Sequence, residues 1–414
     1  MGLIVQKFGG SSVADAPRIH RAAGRAIAAR KKGNHVVVVV SAMGDTTDDL
    51  IELARQVCAH GRAEPSEPPK REMDQLLATG EQVTIALMAM AMHAQGHEAI
   101  SFTGGQIGLV TDTAFSKARI QSINKQRIFE QLEKGKIVIV AGFQGVTPEG
   151  DFTTLGRGGS NATLVALGAV LEADVCENYT DVDGIYTADP RLVPSARKID
   201  KISYDEMLEL SGLGASVLQT RAVEFAKKYN VPLLVRNSQN DNEGTWIVSE
   251  TPNMEQIVVS GAALKKDLIR VNIKNVPDRP GTAAMIFSDI AAANIVVDDI
   301  IQTVSDDNTA SVSFTVEHGD LADIKPVVEK LVHQLGGGTR GIYNTDLAKV
   351  SVVGVGMRTH TGVARLMFQA LADAKINIQN ITTSEIKISC IIDKADGAKA
   401  LQIVHDAFEL GRSK

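Results

Sequence analysis

Apolar runs and amphipathic stretches alternate along the first 250 residues of the chain. The runs at 3–6, 35–41, 137–142, 175–179 and 231–235 are short, rich in β-branched residues and apolar at consecutive positions, the signature of strands buried on both faces. Between them, apolar positions recur at a helical period, which predicts helices over 14–31, 48–60, 70–94, 116–134, 160–172, 204–210 and 217–229. This alternation predicts an α/β domain with a mainly parallel sheet covered on both faces. Ligands of such sheets sit at the carboxyl ends of the strands. Lys7, Ser41, Gly142 and Thr180 all fall at such ends.

From about residue 265 the texture changes and an internal repeat appears. Asp278-Arg279-Pro280-Gly281, followed by Phe287, Ile295 and Ile300, recurs as Thr359-His360-Thr361-Gly362, followed by Phe368, Ile376 and Ile381, each 81 positions after its counterpart. A copy reads strand, Gly-started helix, strand, strand, helix. In the first copy these are 268–273, 281–293, 299–304, 310–317 and 321–335, an order that suggests a ferredoxin-like split βαβ module.

Composition narrows the function classes. A chain of 414 residues, 44% hydrophobic and 22% charged, is globular and long enough for two or three domains. A formal net charge of −6, with no dense Lys/Arg stripe, argues against nucleic acid as a partner. Cys58, Cys176 and Cys390 stand far apart without metal or redox spacing, and the nine histidines form no His-x-x-x-His pair. No protein metal site is therefore expected, and a reducing cytoplasm is. The N-terminus lacks a signal-peptide pattern, and the most apolar helix candidate, 83–93, is too short to span a bilayer. No membrane partner is expected.

Three stretches carry chemistry. Lys7-Phe8-Gly9-Gly10-Ser11-Ser12 places a cation beside a glycine turn and a helix start, where backbone N–H groups can cradle a phosphate. By itself it is also an ordinary strand-to-helix connection. Thr153 to Asn161 combines a glycine-rich turn with Arg157, a planar fork suited to a carboxylate, and a helix cap just before 162–171. Tyr179-Thr180-Asp181-Val182-Asp183-Gly184 leaves a buried strand through two Asp residues and leads to Tyr186 and Arg191, groups suited to a nucleoside and its phosphates. A tight polar loop is the alternative reading of that third stretch. No Gly-x-Gly-x-x-Gly follows the first strand, which disfavours a Rossmann dehydrogenase.

In this order and spacing the three strings resemble the aspartokinase branch of the amino-acid kinase family, and the resemblance covers essentially the whole chain. It implies a three-layer α/β/α sandwich over 1–250 and two ferredoxin-like ACT domains over 265–340 and 345–414, a strand near 255–264 completing the second. It also implies transfer of the γ-phosphoryl of ATP, with Mg²⁺ on the nucleotide, to the side-chain carboxylate of L-aspartate. Carried over, Lys7, Phe8, Gly9, Gly10, Thr180, Asp181, Tyr186, Asp189, Arg191 and Ser216 would meet the nucleotide; Ser41, Thr47, Glu81, Arg157 and Ser160 would hold aspartate; and Lys7, Arg157 and Asn161 would act at the reaction centre. The ACT domains would pair between chains and bind lysine, threonine or both, at Asp278, Gly281, Asp298, Gln302, Thr361 and Glu385.

The chain departs from the family at four positions. Asn161 stands where Asp is usual and Ser216 where Lys is usual, which removes two charges of opposite sign from the reaction centre. A neighbour such as Lys198 or Lys201 would then supply the missing cation. Val296 and Thr382 replace the usual residues of the effector region, leaving the effector's identity open. Relatives that make a separate regulatory chain start it internally, at a place that Met254 would suit. Three readings follow: an active aspartate kinase, a weakly active or inactive paralogue that senses an amino acid, and a kinase of another small carboxylate. Gln144 and Asn178 read as solvated loop residues with no role.

Overall fold

The computed structural model describes residues 2–60, 68–214, 217–249, 258–358 and 360–412; Ser216, Met254 and Thr359 lie outside them. Two units emerge, Met1–Tyr186 with Lys198–Pro252 and Thr187–Arg197 with Asn253–Lys414.

The first unit runs β1 (Leu3–Phe8), α1 (Ala16–Lys31), β2 (His35–Val40), α2 (Thr46–Ala59), α3 (Lys70–Ala94), β3 (Ala99–Phe102), β4 (Val110–Thr111), β5 (Ile120–Ser122), α4 (Gln126–Glu133), β6 (Ile137–Ala141), β7 (Gln144–Val146), β8 (Phe152–Thr154), α5 (Gly159–Leu171), β9 (Val175–Thr180), β10 (Lys201–Ser203), α6 (Tyr204–Gly212), α7 (Thr220–Tyr229), β11 (Leu233–Asn237) and β12 (Thr245–Val248). An eight-stranded sheet takes the order β10-β12-β11-β9-β1-β2-β6-β3. It is parallel except where β11 meets β12. Five consecutive valines make β2 buried on both faces. One face packs Phe8, Val36, Val38 and Val40 against α1 and α3. The other carries α5, which is apolar nearly all round and buried nearly throughout. A small sheet, β5-β4-β7-β8, stands apart from the main one.

The helix expected over 116–134 is a correction. Only Gln126–Glu133 is helical, and Ile120–Ser122 is strand. The Asp112 carboxylate accepts the backbone N–H of Ala114 and Arg119, Ser116 is left-handed at φ 71°, and the Asn124 side chain accepts the N–H of Gln126. Local side-chain acceptors thus divert the backbone donors that a helix needs.

The second unit runs β13 (Gly261–Pro277), α8 (Thr282–Ala292), β14 (Asp298–Val304), β15 (Thr309–Glu317), α9 (Leu321–Leu335), β16 (Arg340–Val353), α10 (Val363–Asp373), β17 (Asn380–Thr383), β18 (Lys387–Asp393) and α11 (Gly397–Ala407). The repeat is real, but the copies do not keep separate sheets. One antiparallel sheet of order β14-β15-β13-β16-β18-β17 holds both, because β13 and β16 are long enough to serve each. Gly261–Lys265 pairs with the end of β16, and from Leu268 onward β13 also pairs with β15. Asp267, at φ 61°, marks the register shift between the halves. The two halves have their own cores, with α8 and α9 in one and α10 and α11 in the other.

Candidate functional site

Four neighbouring parallel strands, β9, β1, β2 and β6, end side by side, in register as Phe8 with Tyr179 and with Val40, and Val40 with Ala141. Backbone bonds stitch the turns beyond them: Gly9 N–H to the Tyr179 carbonyl at 3.3 Å, Ser41 to Phe8 at 3.1 Å, Gly44 to Gly10 at 3.1 Å and Gly142 to Val40 at 3.0 Å. Only glycine fits at position 10, since a Cβ would lie 2.9 Å from the carbonyl oxygens of both Ala42 and Gly44. This crossover brings Gly9, Gly10, Ser41, Gly142, Thr180 and Asp181 to one rim of the sheet.

Strand alternation sends neighbouring side chains of β1 to opposite faces. Phe8 stacks on Tyr179 with ring centroids 4.8 Å apart, on the α1 side. Lys7 points the other way, is 8% exposed, and has its Nζ 3.3 Å from where a Cβ on Gly9 would lie. Burial pulls the Lys7 ammonium down to about 8, partly opposed by Asp181. Over the same face stands the N-terminus of α5, entered through left-handed Gly158 at φ 70°. Ser160 Oγ accepts the Ser41 hydroxyl at 3.0 Å. Asn161, in the same first turn, is buried, and its Oδ1 has no partner. Arg157 is exposed in the loop before this helix, and no hydrogen bond or ion pair to a described residue holds it.

Helix α3 supplies the opposite charge. Glu81 is 2% exposed; its Oε1 accepts the Ala42 N–H at 3.0 Å, while Oε2 is unpartnered. Burial pushes the Glu81 carboxyl up to about 8. Thr47 is half-buried in the first turn of α2. Gln144 and Asn178, expected to be solvated, are both fully buried: Gln144 donates to the Ala78 carbonyl at 2.8 Å, and Asn178 donates to that of Val217. Six of the eleven unpartnered buried polar atoms among the described residues belong to Ser12, Glu81, Gln144, Asn161, Asn178 and Gln219, all flanking these strand ends or α5's first turn. Buried polar groups are normally satisfied, so such a cluster marks a ligand-facing region. No single-residue signal in the sequence announces it.

On the other flank Thr180 donates to the Asp181 carboxylate at 3.1 Å, and Tyr186 is bridged to Lys198. Lys198 is not the spare cation that the sequence suggested, because its ammonium is taken by Asp200 and the Gly244 carbonyl, both at 2.7 Å. Lys201 is exposed on β10. Asp183 receives the side-chain amides of Asn240, Asn237 and Asn242, which hold its carboxyl below the usual range. Asp189 and Arg191 pair with each other within the second unit. A cavity of about 700 Å³ lies on the α1 side, lined by Gln6, Arg25, Glu177, Tyr179 and Arg236. It is on the face away from Lys7, and Arg25 is committed there to the carbonyls of Ser238 and Asn240.

In the second unit, Asp278, Gly281, Gln302, Thr361 and Glu385 are exposed. Gly281 and Gly362, at φ 94° and 95°, cap α8 and α10 alike. Asp298 departs from its expected role: it already holds an ammonium, that of fully buried Lys349 at 2.6 Å, shared with Asp299 at 2.9 Å. Residues 2–237 match the amino acid kinase family, and 269–332 and 350–408 each match an ACT domain. Aspartokinase 2 of Bacillus subtilis is 50% identical over 412 residues, which is 100% of this chain and 99% of that protein. Two crystal structures of E. coli aspartokinase III, each 25% identical, cover 98% of this chain and are themselves covered to 99%. The complex with aspartate and ADP (R-state) superposes with a TM-score of 0.84, and the complex with lysine and aspartate (T-state) with 0.74. The chain belongs to the amino acid kinase family, in its aspartokinase branch with two C-terminal ACT domains.

Proposed function

We propose that this chain phosphorylates the side-chain carboxylate of L-aspartate with ATP, giving 4-phospho-L-aspartate, and that lysine, threonine or both inhibit it through the ACT domains. The observation that carries the reading is the pair of buried groups at one rim: Glu81 with an open carboxylate oxygen, and Lys7 beside the Gly9-Gly10 turn. A zwitterion with a second carboxylate needs one anion and at least one cation next to a phosphate cradle. Glu81 takes the aspartate ammonium, Arg157 a carboxylate, and Ser41, Thr47 and Ser160 its remaining polar atoms. Gly9, Gly10, Thr180, Asp181 and Tyr186 take the nucleotide, to which Phe8, with its ring buried against Tyr179, and Asp189, Arg191 and Ser216 are assigned by family position alone.

Aspartate's β-carboxylate is ionised near pH 7, so no general base is required. One of its oxygens bonds to the γ-phosphorus as the bond to the ADP oxygen breaks, and ADP leaves. Lys7 and the N–H groups of the glycine turn and of α5 face the charge spread over the transferring group. Mg²⁺, when bound, would neutralise charge on the nucleotide phosphates, beside Lys7 and the glycine turn. Residues 1–250 form the kinase and 265–340 and 345–414 the sensors, in a homodimer or larger oligomer. Asp278, Gln302, Thr361, Glu385 and the N–H groups at Gly281 are the effector contacts.

A second reading is favoured by Asn161, a buried amide where the family resemblance implies an Asp carboxylate: a weak or silent paralogue kept for sensing. Trapping aspartyl phosphate with hydroxylamine decides between them, for the wild type beside Asn161→Asp/Ser216→Lys, with and without lysine and threonine. Hydroxamate from the wild type, reduced by either amino acid, supports the first reading. Silence in the wild type with activity in the double variant establishes the second.

A further inference from the structure

We propose that Asp74 is the positioning residue that sets the distance between the two ends of the aspartate clamp, the Glu81 helix and the Arg157 loop. This rests on the reading of Glu81 and Arg157 as aspartate-holding groups. Asp74 stands on α3 about two turns before Glu81 and therefore on the same face of the helix. It is fully buried, and all of its partners come from outside that helix. Oδ2 accepts the backbone N–H of Ser116 at 2.9 Å and of Thr154 at 2.8 Å, and Oδ1 accepts the Thr154 hydroxyl at 2.8 Å. Thr154 ends β8, three residues before Arg157.

One turn along α3, the bond from Gln144 to the Ala78 carbonyl ties β7 to the same helix. The β7–β8 hairpin is thus fastened to α3 at two points, and the exposed Arg157 inherits its place from them. Near its middle α3 is held to the turn after β2 by Glu81 itself. The helix is a strut between the anion and the cation that face the substrate. A displacement of about 1 Å in such a clamp can cost on the order of 10²-fold in rate.

The anchor depends on acceptor geometry rather than on charge. One oxygen of Asp74 serves both backbone donors, so in Asp74→Asn the amide oxygen keeps those bonds and the amide nitrogen can donate to Thr154 Oγ1. Asp74→Ala removes all three bonds, and Thr154→Val removes one. Steady-state kinetics on the full chain test this. Asp74→Ala is expected to raise KM for aspartate about tenfold or more with KM for ATP within about twofold; Asp74→Asn recovers it to within about threefold, and Thr154→Val falls between. Where turnover is absent, calorimetric Kd values for aspartate and ATP replace KM.

An Asn variant as impaired as Ala, or ATP affinity falling in step with aspartate affinity, overturns the proposal. Should Asp74→Ala fail to fold, Thr154→Val with unchanged aspartate affinity overturns it as well. Glu81→Gln and Arg157→Gln are measured alongside. If neither weakens aspartate, the clamp reading itself has failed; if both do and the Asp74 series does not, only the positioning role has.

Discussion

Glu81 and Lys7 carry opposite charges into buried positions, and burial moves each toward its neutral form, Glu81 up to about 8 and Lys7 down to about 8. The consequences for the two substrates have opposite signs. In the free protein at pH 7 burial keeps Glu81 largely protonated, so on the proposed reading an incoming ammonium must first displace that proton. KM for aspartate should fall about tenfold between pH 7 and pH 9. The Lys7 cation is lost as pH rises through about 8, so KM for ATP should rise over the same interval. Measuring both KM values against pH checks this; parallel trends, or a Glu81→Gln variant that keeps the aspartate trend, count against it. Lys7→Met should lower kcat by about 10²- to 10³-fold while leaving aspartate affinity nearly unchanged, which single-turnover and binding measurements separate. The Lys7, Arg157 and Thr180 strings can be read from sequence, because a cation or acid beside a glycine turn needs no distant partner to be recognised. Gln144, Asn178 and Lys198 could not be read in this way, since their partners Ala78, Val217, Asp200 and Gly244 belong to other elements or turns.

The elements differ in how much of them is local. Helix α3 is read to the residue because its long apolar stripe outweighs every local competitor, and α9 likewise. The 116–134 segment misleads because Asp112 and Asn124 offer their carboxylate and amide oxygens to the backbone, an arrangement no periodicity shows. Short strands such as β4, β7 and β8 have too few residues to display a period and exist by pairing. The turn after β1 is the opposite case, where one atom decides. Gly10→Ala puts a methyl 2.9 Å from two backbone carbonyls that cannot rotate away. Overpacking of this kind costs about 1–3 kcal/mol, and here it separates the β1 and β2 turns. The variant should melt several degrees lower and bind ATP at least tenfold more weakly, by thermal melting and calorimetry; an unchanged Kd would show that the turn is not a nucleotide contact.

Across the molecule, the order β9-β1-β2-β6 does what no stretch of sequence can: it lines up four strand ends that are far apart along the chain. In the second unit Lys349 of β16 reaches Asp298 and Asp299 of β14 and so ties the two copies of the repeat. Burial pulls the Lys349 ammonium down, but the two carboxylates outweigh it and leave it raised. Burial pushes Asp298 up, but Lys349 outweighs that and leaves it lowered. The sign for stability follows from both: the tie is complete between about pH 4 and pH 10, is lost as pH falls through the lowered Asp298 value, and is lost again as pH rises through the raised Lys349 value. Lys349→Met leaves buried Asp299 uncompensated and should destabilise this unit by about 3–5 kcal/mol. Trp246, the single tryptophan, lies in the other unit, so far-UV dichroism should show the shift in urea while Trp246 fluorescence does not. Coincident shifts would show that the tie is not local to the sheet.

The sequence by itself determined the α/β class, the repeat and the glycine-turn strings, because hydrophobic period, an 81-residue offset and glycine turns are properties of neighbours along the chain. Only the tertiary structure decided that β13 and β16 merge the repeats into one sheet, that Lys198 and Asp298 are already paired, and that Asp74 ties α3 to Ser116 and Thr154. Those are matters of burial and of partners brought together from distant segments, and they exist only once the chain has closed on itself.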